Sequence, residues 1–281
     1  MHSPIVSVLM TTYNRALLTA TAIESVLASD FGDFELIICD DGSTDDTLEV
    51  CKRYAASDKR IRVYQNPENL GDYPNRNKVS SYAVGKYLKY LDSDDYIYPW
   101  ALGCMVLMME KFPDAGWGLC SMEPDQSRIF PFQLEAPDIY RLHYFGSGVF
   151  QRAPLSSIIR RDVFENMDGF RPFRMIGDFD MWHRLAMHYP LVLMPQGMVW
   201  YRRHTDQEMA SYDKYLPDYE RIKLEHLLSS QCPLTPDEIR TVLQSEKNRI
   251  LRRLFSSLFR FRLTDLLTSY RMLKPYFSIS K

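Results

Sequence analysis

No Cys-x-x-Cys pair occurs in this chain. The five cysteines, Cys39, Cys51, Cys104, Cys120 and Cys232, are odd in number and scattered. That argues against a disulfide framework or a cysteine-based zinc site and fits reduced structural thiols in a cytoplasmic protein. His183 and His188 lie five apart and form no His-Glu-x-x-His motif, so they suggest no zinc either. Charge of either sign is not in excess: 34 Lys+Arg stand against 36 Asp+Glu, for a net −2. A nucleic-acid partner is therefore not expected. No apolar run reaches the ~18 residues that would mark a membrane span. The N-terminus lacks the charged and apolar regions of a secretory leader, so none is expected. Internal repeats and low-complexity tracts are absent, as are Gly-x-Gly-x-x-Gly and the P-loop pattern.

What is present is an ordinary globular balance, 46% hydrophobic and 25% charged residues over 281 positions. That length allows one large domain or two small ones. Aromatic content is high at 13%, with 18 Tyr and 15 Phe.

The first half alternates strand and helix signals. Apolar runs at Ile5–Met10, Phe34–Cys39, Ile61–Tyr64 and Tyr87–Leu91 read as strands. Leu17–Ser29, the segment after Ser43-Thr44-Asp45-Asp46, and Trp100–Phe112 read as helices, the last stopped by Pro113-Asp114. This alternation predicts a mostly parallel sheet with helices on both faces. In such sheets ligands bind beyond the carboxyl ends of the strands. The polar clusters Thr11–Arg15, Asp40–Asp45 and Asp92–Asp95 lie there, so three loops should converge on one cleft. Residues 123–154, with Pro124, Pro131, Pro137, Pro154, Gly146 and Gly148, read as a long irregular segment over it. Beyond it come a strand at Ser156–Arg160, a helix at Asp178–His188 and strands at Leu191–Met194 and Val199–Arg203. From about Tyr212 the pattern is helical.

The acidic clusters admit more than one use. Asp92, Asp94 and Asp95 are either solvated turn residues or a site for a divalent cation that also holds phosphates; the glycine and distal glutamate of an EF-hand are missing. Asp40 and Asp41 are either a turn before a helix cap or acceptors for a base N–H or ribose hydroxyl. In Gly177-Asp178-Phe179-Asp180-Met181-Trp182 an aspartate is either an N-cap or a general base. Arg76 is either a phosphate partner or a helix surface residue.

The order of these segments resembles the family 2 glycosyltransferases. The residues that carry the likeness are Val6-Ser7-Val8-Leu9-Met10-Thr11-Thr12-Tyr13-Asn14-Arg15, Phe34 through Asp45, Asn69-Leu70-Gly71, Leu91-Asp92-Ser93-Asp94-Asp95, Gly177 through Leu185, and Tyr201-Arg202-Arg203-His204. The likeness covers roughly residues 3–210. It implies a GT-A fold, a three-layer α/β/α sandwich with a mostly parallel central sheet. The catalytic domain would be 1–210, with a nucleotide-binding half at about 1–122 and an acceptor half at about 123–210. A helical extension would follow at 211–281.

The same likeness implies roles. Thr11, Tyr13, Asn14 and Arg15 would line the nucleotide site, with Tyr13 packing on a uracil ring. Asp41 would bond the base edge, with Asp40 beside it and Arg76 near the nucleotide. Asp92 and Asp94 would contact the donor, and Asp94, Asp95 and His204 would hold Mn²⁺ or Mg²⁺. Asp178 would be the catalytic base of an inverting transfer from a nucleotide-diphosphate sugar, a UDP-sugar foremost, to a glycan or lipid-linked hydroxyl. The family commonly has Glu-Asp where this chain has Gly177-Asp178, which leaves Asp180 as an alternative base. A sugar-phosphate nucleotidyltransferase is the rival enzyme class, although Thr11–Arg15 lacks its glycine-rich loop; a nucleotide-sugar-binding protein without turnover is the non-enzyme rival.

The tail has a character of its own. Lys247, Arg249, Arg252, Arg253, Arg260, Arg262, Arg271 and Lys274 face only Asp265 as an acid between 247 and 274, and Leu251, Leu254, Phe255, Leu258 and Phe259 recur at helical spacing. This is either a helix packed on the core or an interfacial helix that docks at the inner face of a membrane. The aromatics Tyr140, Tyr144, Phe145, Phe150, Trp182 and Trp200 are candidates to face sugars.

Overall fold

The structure is a computed structural model, and it describes residues 3–203, 212–259 and 263–279. Four strands, β1 (Val6–Thr12), β2 (Phe34–Asp40), β3 (Ile61–Gln65) and β4 (Tyr87–Tyr90), form the parallel half of an eight-stranded sheet. Their crossovers are α1 (Ala16–Leu27), α2 (Thr47–Ser57) and α3 (Asp72–Ser80). Val6 pairs with Phe34 on one side and with Tyr87 on the other. That register brings the carboxyl ends of β1, β2 and β4 to one edge, so the three polar loops share it.

The remaining elements are β5 (Tyr96–Ile97), α4 (Ala101–Glu110), β6 (Trp117–Met122), β7 (Phe132–Leu134), α5 (Ala136–Phe145), β8 (Ser157–Arg160), α6 (Arg161–Asn166), α7 (Gly177–His188), β9 (Leu191–Pro195) and β10 (Val199–Trp200). The sheet order is β3-β2-β1-β4-β8-β6-β9-β7. β8 is antiparallel to both β4 and β6, while β6 and β9 are parallel.

Both faces of the sheet are covered, which is why its strands read as continuous apolar runs. Leu9, Ile37, Leu88 and Tyr90 face one core with α3, α5, α6 and α7. Val8, Met10, Leu36 and Ile38 face the other with α1, α2 and α4. This is the expected three-layer α/β/α arrangement. After it come α8 (Tyr212–Leu227), α9 (Pro236–Phe259), α10 (Leu263–Leu273) and α11 (Tyr276–Ile279). They share a small core of Leu216, Leu224, Ile250, Met272, Leu273 and Tyr276. α8 also sends Ile222 and Leu227 into the main core.

Two local expectations need correction. Residues 123–154 are not irregular throughout, because β7 and α5 lie inside them. Pro137 sits in the first turn of α5, where no backbone N–H is required, so it starts the helix rather than breaking it. The strand expected at Val199–Arg203 stops at Trp200. It pairs with β5 in a separate two-stranded sheet, which sets Tyr201–Arg203 beside the acidic end of β4.

Candidate active site

The carboxyl edge of the sheet opens into a cleft of about 1680 Å³. Thr11, Tyr13 and Arg15 line it from β1, Asp41 from β2, Asp72 to Arg76 from α3, Asp92 to Asp95 from β4 and Asp178 from α7. Asn14 and Asp40, expected at the nucleotide, do not line it. Asn14 has φ +50° and ties two loops together: its N–H donates to Ser43 Oγ at 2.9 Å, and its Oδ1 accepts from Thr44 N–H at 2.8 Å. Asp40 is fully buried, and its Oδ2 accepts from Ser43 N–H at 3.0 Å. Both residues shape the loops that carry Tyr13 and Asp41. Tyr13 is 44% exposed on the cleft wall, in position to meet a planar ligand.

Asp41 holds the 69–71 loop. Its Oδ1 accepts from Asn66 Nδ2 at 2.8 Å and Leu70 N–H at 2.9 Å, and its Oδ2 from Gly71 N–H at 2.9 Å. Beyond Gly71, α3 places Arg76 against two carboxylates, 2.7 Å from Asp72 and 2.7 Å from Asp92. Its guanidinium also lies over the rings of Tyr73 and Tyr90. Arg76 is buried, so removing it would leave the carboxylates it pairs with short of a partner in a poorly solvated site.

At the end of β4 three carboxylates crowd into four residues, and each is answered separately. Asp92 meets Arg76. Asp94 Oδ2 lies 2.5 Å from Arg15 Nη1. Asp95 Oδ1 accepts the Arg202 N–H at 2.9 Å, while Arg202 Nε donates to the Asp94 carbonyl. Burial, reinforced by the neighbouring Asp92, pushes Asp95 up to about 8. Burial also raises Asp92, with Arg76 opposing it. Beneath the cluster the Lys89 ammonium is fully buried and donates to the carbonyls of Tyr90 and Leu155. It fastens β4 to the 154–156 turn that forms part of the opposite wall. Burial brings its pKa down to about 8.

As a metal site this donor set is hard: carboxylate oxygens from Asp94 and Asp95. It suits Mg²⁺ or Mn²⁺, which take one or two protein carboxylates with further oxygens from phosphate and water. Among the described residues no three potential ligands gather as a closed cage. His204, expected as a third ligand, lies outside the described residues.

Asp178 approaches from α7. Its Oδ1 accepts the Phe179 N–H at 2.7 Å, and the Tyr73 hydroxyl hydrogen-bonds its carboxylate. Burial pushes Asp178 up to about 7, against both hydrogen bonds. The residue before it is glycine for a steric reason: a Cβ on Gly177 would lie 2.7 Å from the Tyr73 ring. The space a side chain at 177 would need is filled by a tyrosine ring from α3. Asp180 faces the other way. It is fully buried and bonded to Arg184 at 2.8 Å, His226 at 3.0 Å and Arg171 at 3.2 Å, away from the cleft. Among the two aspartates, only Asp178 lines the cavity.

The aromatic candidates separate cleanly. Trp182 stacks on Trp117 at 5.3 Å between centroids, inside the core, and Tyr140 is buried against Phe150 and His183. Phe150 lines the cleft, as do Tyr73, Tyr201, Tyr212 and Tyr219. Periodicity could not identify Tyr73, Lys89, Arg152 or Arg174 as part of this site. The one visible signal was Lys89, a lysine inside an otherwise apolar strand.

The sheet is that of a GT-A fold, and its carboxyl edge brings the acidic cluster and the helix-borne Asp72 and Asp178 onto one cleft. The Glycosyl transferase family 2 profile matches residues 7–168, and the chain belongs to that family. It is 32% identical over 191 residues to the putative glycosyltransferase EpsE of Bacillus subtilis, a match that spans 64% of this chain and 66% of EpsE. Two solved structures share the fold at 17% identity. The mannosyltransferase PcManGT from Pyrobaculum calidifontis, in complex with GDP-Man and Mn²⁺, aligns over 99% of this chain and 76% of its own, with a TM-score of 0.69. TarS 1–349 of S. aureus, in complex with UDP-GlcNAc, aligns over 97% and 91%, with a TM-score of 0.64.

Proposed function

We propose that this glycosyltransferase moves a sugar from a nucleotide-diphosphate donor, a UDP-sugar foremost, to a hydroxyl of a glycan or lipid-linked acceptor with inversion. The observation that carries this reading is the placement of Asp178 and the Asp92–Asp95 cluster on one cleft. Tyr13 and Asp41 stand at the nucleotide end. Solved relatives of the fold hold UDP-GlcNAc and GDP-Man, so the fold admits both bases. A UDP-sugar is put first on the family likeness, and Tyr13 offers its base an open ring face.

In this mechanism Asp178 accepts the proton of the acceptor hydroxyl as oxygen attacks the anomeric carbon. A carboxylate is a weak base toward an alcohol at rest. It serves because the hydroxyl acidifies as the bond forms, so position outweighs basicity. The Tyr73 hydroxyl beside that carboxylate favours its ionised form. Arg76 holds Asp92 in place, and Arg15 does the same for Asp94. Asp94 and Asp95 would hold Mn²⁺ or Mg²⁺, which supplies Lewis-acid stabilisation of the departing diphosphate when bound. His204 is a third candidate ligand.

The reading sets the enzyme in the cytoplasm at the inner face of a membrane, in cell-envelope polysaccharide synthesis. Among the described residues no helix is long and apolar enough to cross a membrane. A panel of nucleotide sugars tested with Mn²⁺ decides the class. Nucleoside diphosphate release with sugar transfer supports the proposal, pyrophosphate exchange indicates a nucleotidyltransferase, and binding without turnover refutes an enzyme.

A further inference from the structure

The last long helices expose a surface the catalytic fold does not need. Leu254, Phe255 and Leu258 of α9 meet Leu266, Leu267 and Tyr270 of α10 in a groove of about 330 Å³, lined by apolar surface alone. Phe255, Leu258, Leu267 and Tyr270 are each more than half exposed, and Phe259 at the end of α9 is 80% exposed. Left in water, these side chains forgo the apolar burial that ordinarily stabilises a helix pair. The inner faces of α9 and α10 already have a core in Ile250, Met272 and Leu273. The groove is therefore a second, outward apolar stripe.

Its rim is basic. Arg249 is engaged by Glu220 and Glu246, and Arg253 by Asp213 and Asp265. Arg252, Arg271 and Lys274 are exposed and have no carboxylate within ion-pair distance among the described residues. On a helical wheel Arg252 flanks the Leu254–Phe255–Leu258 stripe, and Arg271 and Lys274 flank Leu267 and Tyr270. Asp265, the only acid of the 247–274 span, is already committed to Arg253. Two copies of this face would set arginine against arginine. An anionic sheet of headgroups above an apolar layer complements it in both charge and polarity.

We infer that the α9–α10 pair is an interfacial docking element that inserts its apolar groove into an anionic lipid surface and holds the cleft at the membrane. The inference rests on the proposed membrane-face location, and its test is independent of sugar transfer. Full-length protein is floated with vesicles of phosphatidylcholine alone or mixed with phosphatidylglycerol. Binding is expected only to the mixed vesicles, and it should weaken as salt is raised. Replacing Arg252, Arg271 and Lys274 by Gln should weaken it by about fivefold per charge. The Phe255→Ser/Leu258→Ser variant should abolish it at any salt. Circular dichroism and a cooperative thermal melt on the same variants show that each is folded, independently of any nucleotide. Three results overturn the inference: no preference for anionic vesicles, undiminished binding by the Phe255→Ser/Leu258→Ser variant, or a wild-type self-association that this variant removes in the absence of lipid. Intact flotation with no sugar transfer would count against the proposed function and leave the docking surface standing.

Discussion

Gly177 and Tyr73 offer a sharp test of how the catalytic helix is held. A Cβ at 177 would stand 2.7 Å from Cγ and Cδ2 of Tyr73 and 2.8 Å from Cδ1, where ordinary contact begins at 3.4 Å. The ring would have to retreat by about 0.7 Å. It has nowhere to go, because Tyr73 is 3% exposed and packs on Phe170 at 5.1 Å between centroids. Overpacking of this kind costs about 1–3 kcal/mol. Gly177→Ala should therefore lower unfolding free energy by that amount in urea titration at fixed slope. It should also lower turnover, because the displaced ring takes its hydroxyl away from Asp178. The same substitution made on a Tyr73→Ala background should cost almost nothing, or gain a few tenths of a kcal/mol, since alanine is the better helix former. The two singles and the double close a mutant cycle whose coupling isolates the clash. Equal cost of Gly177→Ala with and without the ring would refute the steric account.

Other perturbations separate the two aspartates of α7 and the cation beside them. Asp178→Asn should cut turnover by on the order of 10²-fold or more while UDP binding persists; unchanged turnover ends its assignment as base. Because burial raises Asp178 to about 7, the wild-type rate should climb with pH through 7 and level above it, and a flat profile from 6 to 8 contradicts this. The folded state then holds this proton more tightly than the unfolded state, whose value is 3.8. Wild type accordingly loses stability as pH rises from about 4 to 7, and Asp178→Asn should melt higher than wild type at pH 8 but not at pH 4. Asp180→Asn should instead destabilise by about 3–5 kcal/mol, because Arg171, Arg184 and His226 lose a buried partner; full stability with lost turnover would exchange the roles of the two residues. Arg76→Met should leave Asp92 beside Asp94 and Asp95 without its cation, lowering both the melting temperature and nucleotide affinity; wild-type values of both would show the pair to be idle.

Legibility followed the source of each element's stability. β1, β2 and β4 were readable because a strand buried on both faces is apolar along most of its length, Lys89 in β4 being an exception. α3 was not, because it turns Asn75 and Arg76 inward to the cleft along with Tyr73 and Val79, and a helix with a polar buried face has no hydrophobic period. α5 was hidden by Pro137, whose position in the first turn is invisible until the helix start is known. β8 carried a strand signal, but its antiparallel insertion between β4 and β6 depends on contacts across the chain. The acidic strand ends stood out by composition, whereas the partners that meet them, Arg15, Arg76 and the Arg202 N–H, are 16 to 107 residues away.

Local chemistry alone determined the α/β class, the carboxyl edge as the site, and a short set of aspartates with family 2 spacing, because these follow from strand periodicity and from residue types that must sit at strand ends. Only the tertiary structure decided which of those residues reach the cleft. Asn14 and Asp40 turn out to tie loops, Asp180 to anchor an ion network, and Trp182 to fill the core. The reason is that a side chain's role depends on what the fold sets against it. At Gly177 that is the ring of Tyr73, a hundred residues earlier in the chain and 2.7 Å from where a Cβ would stand.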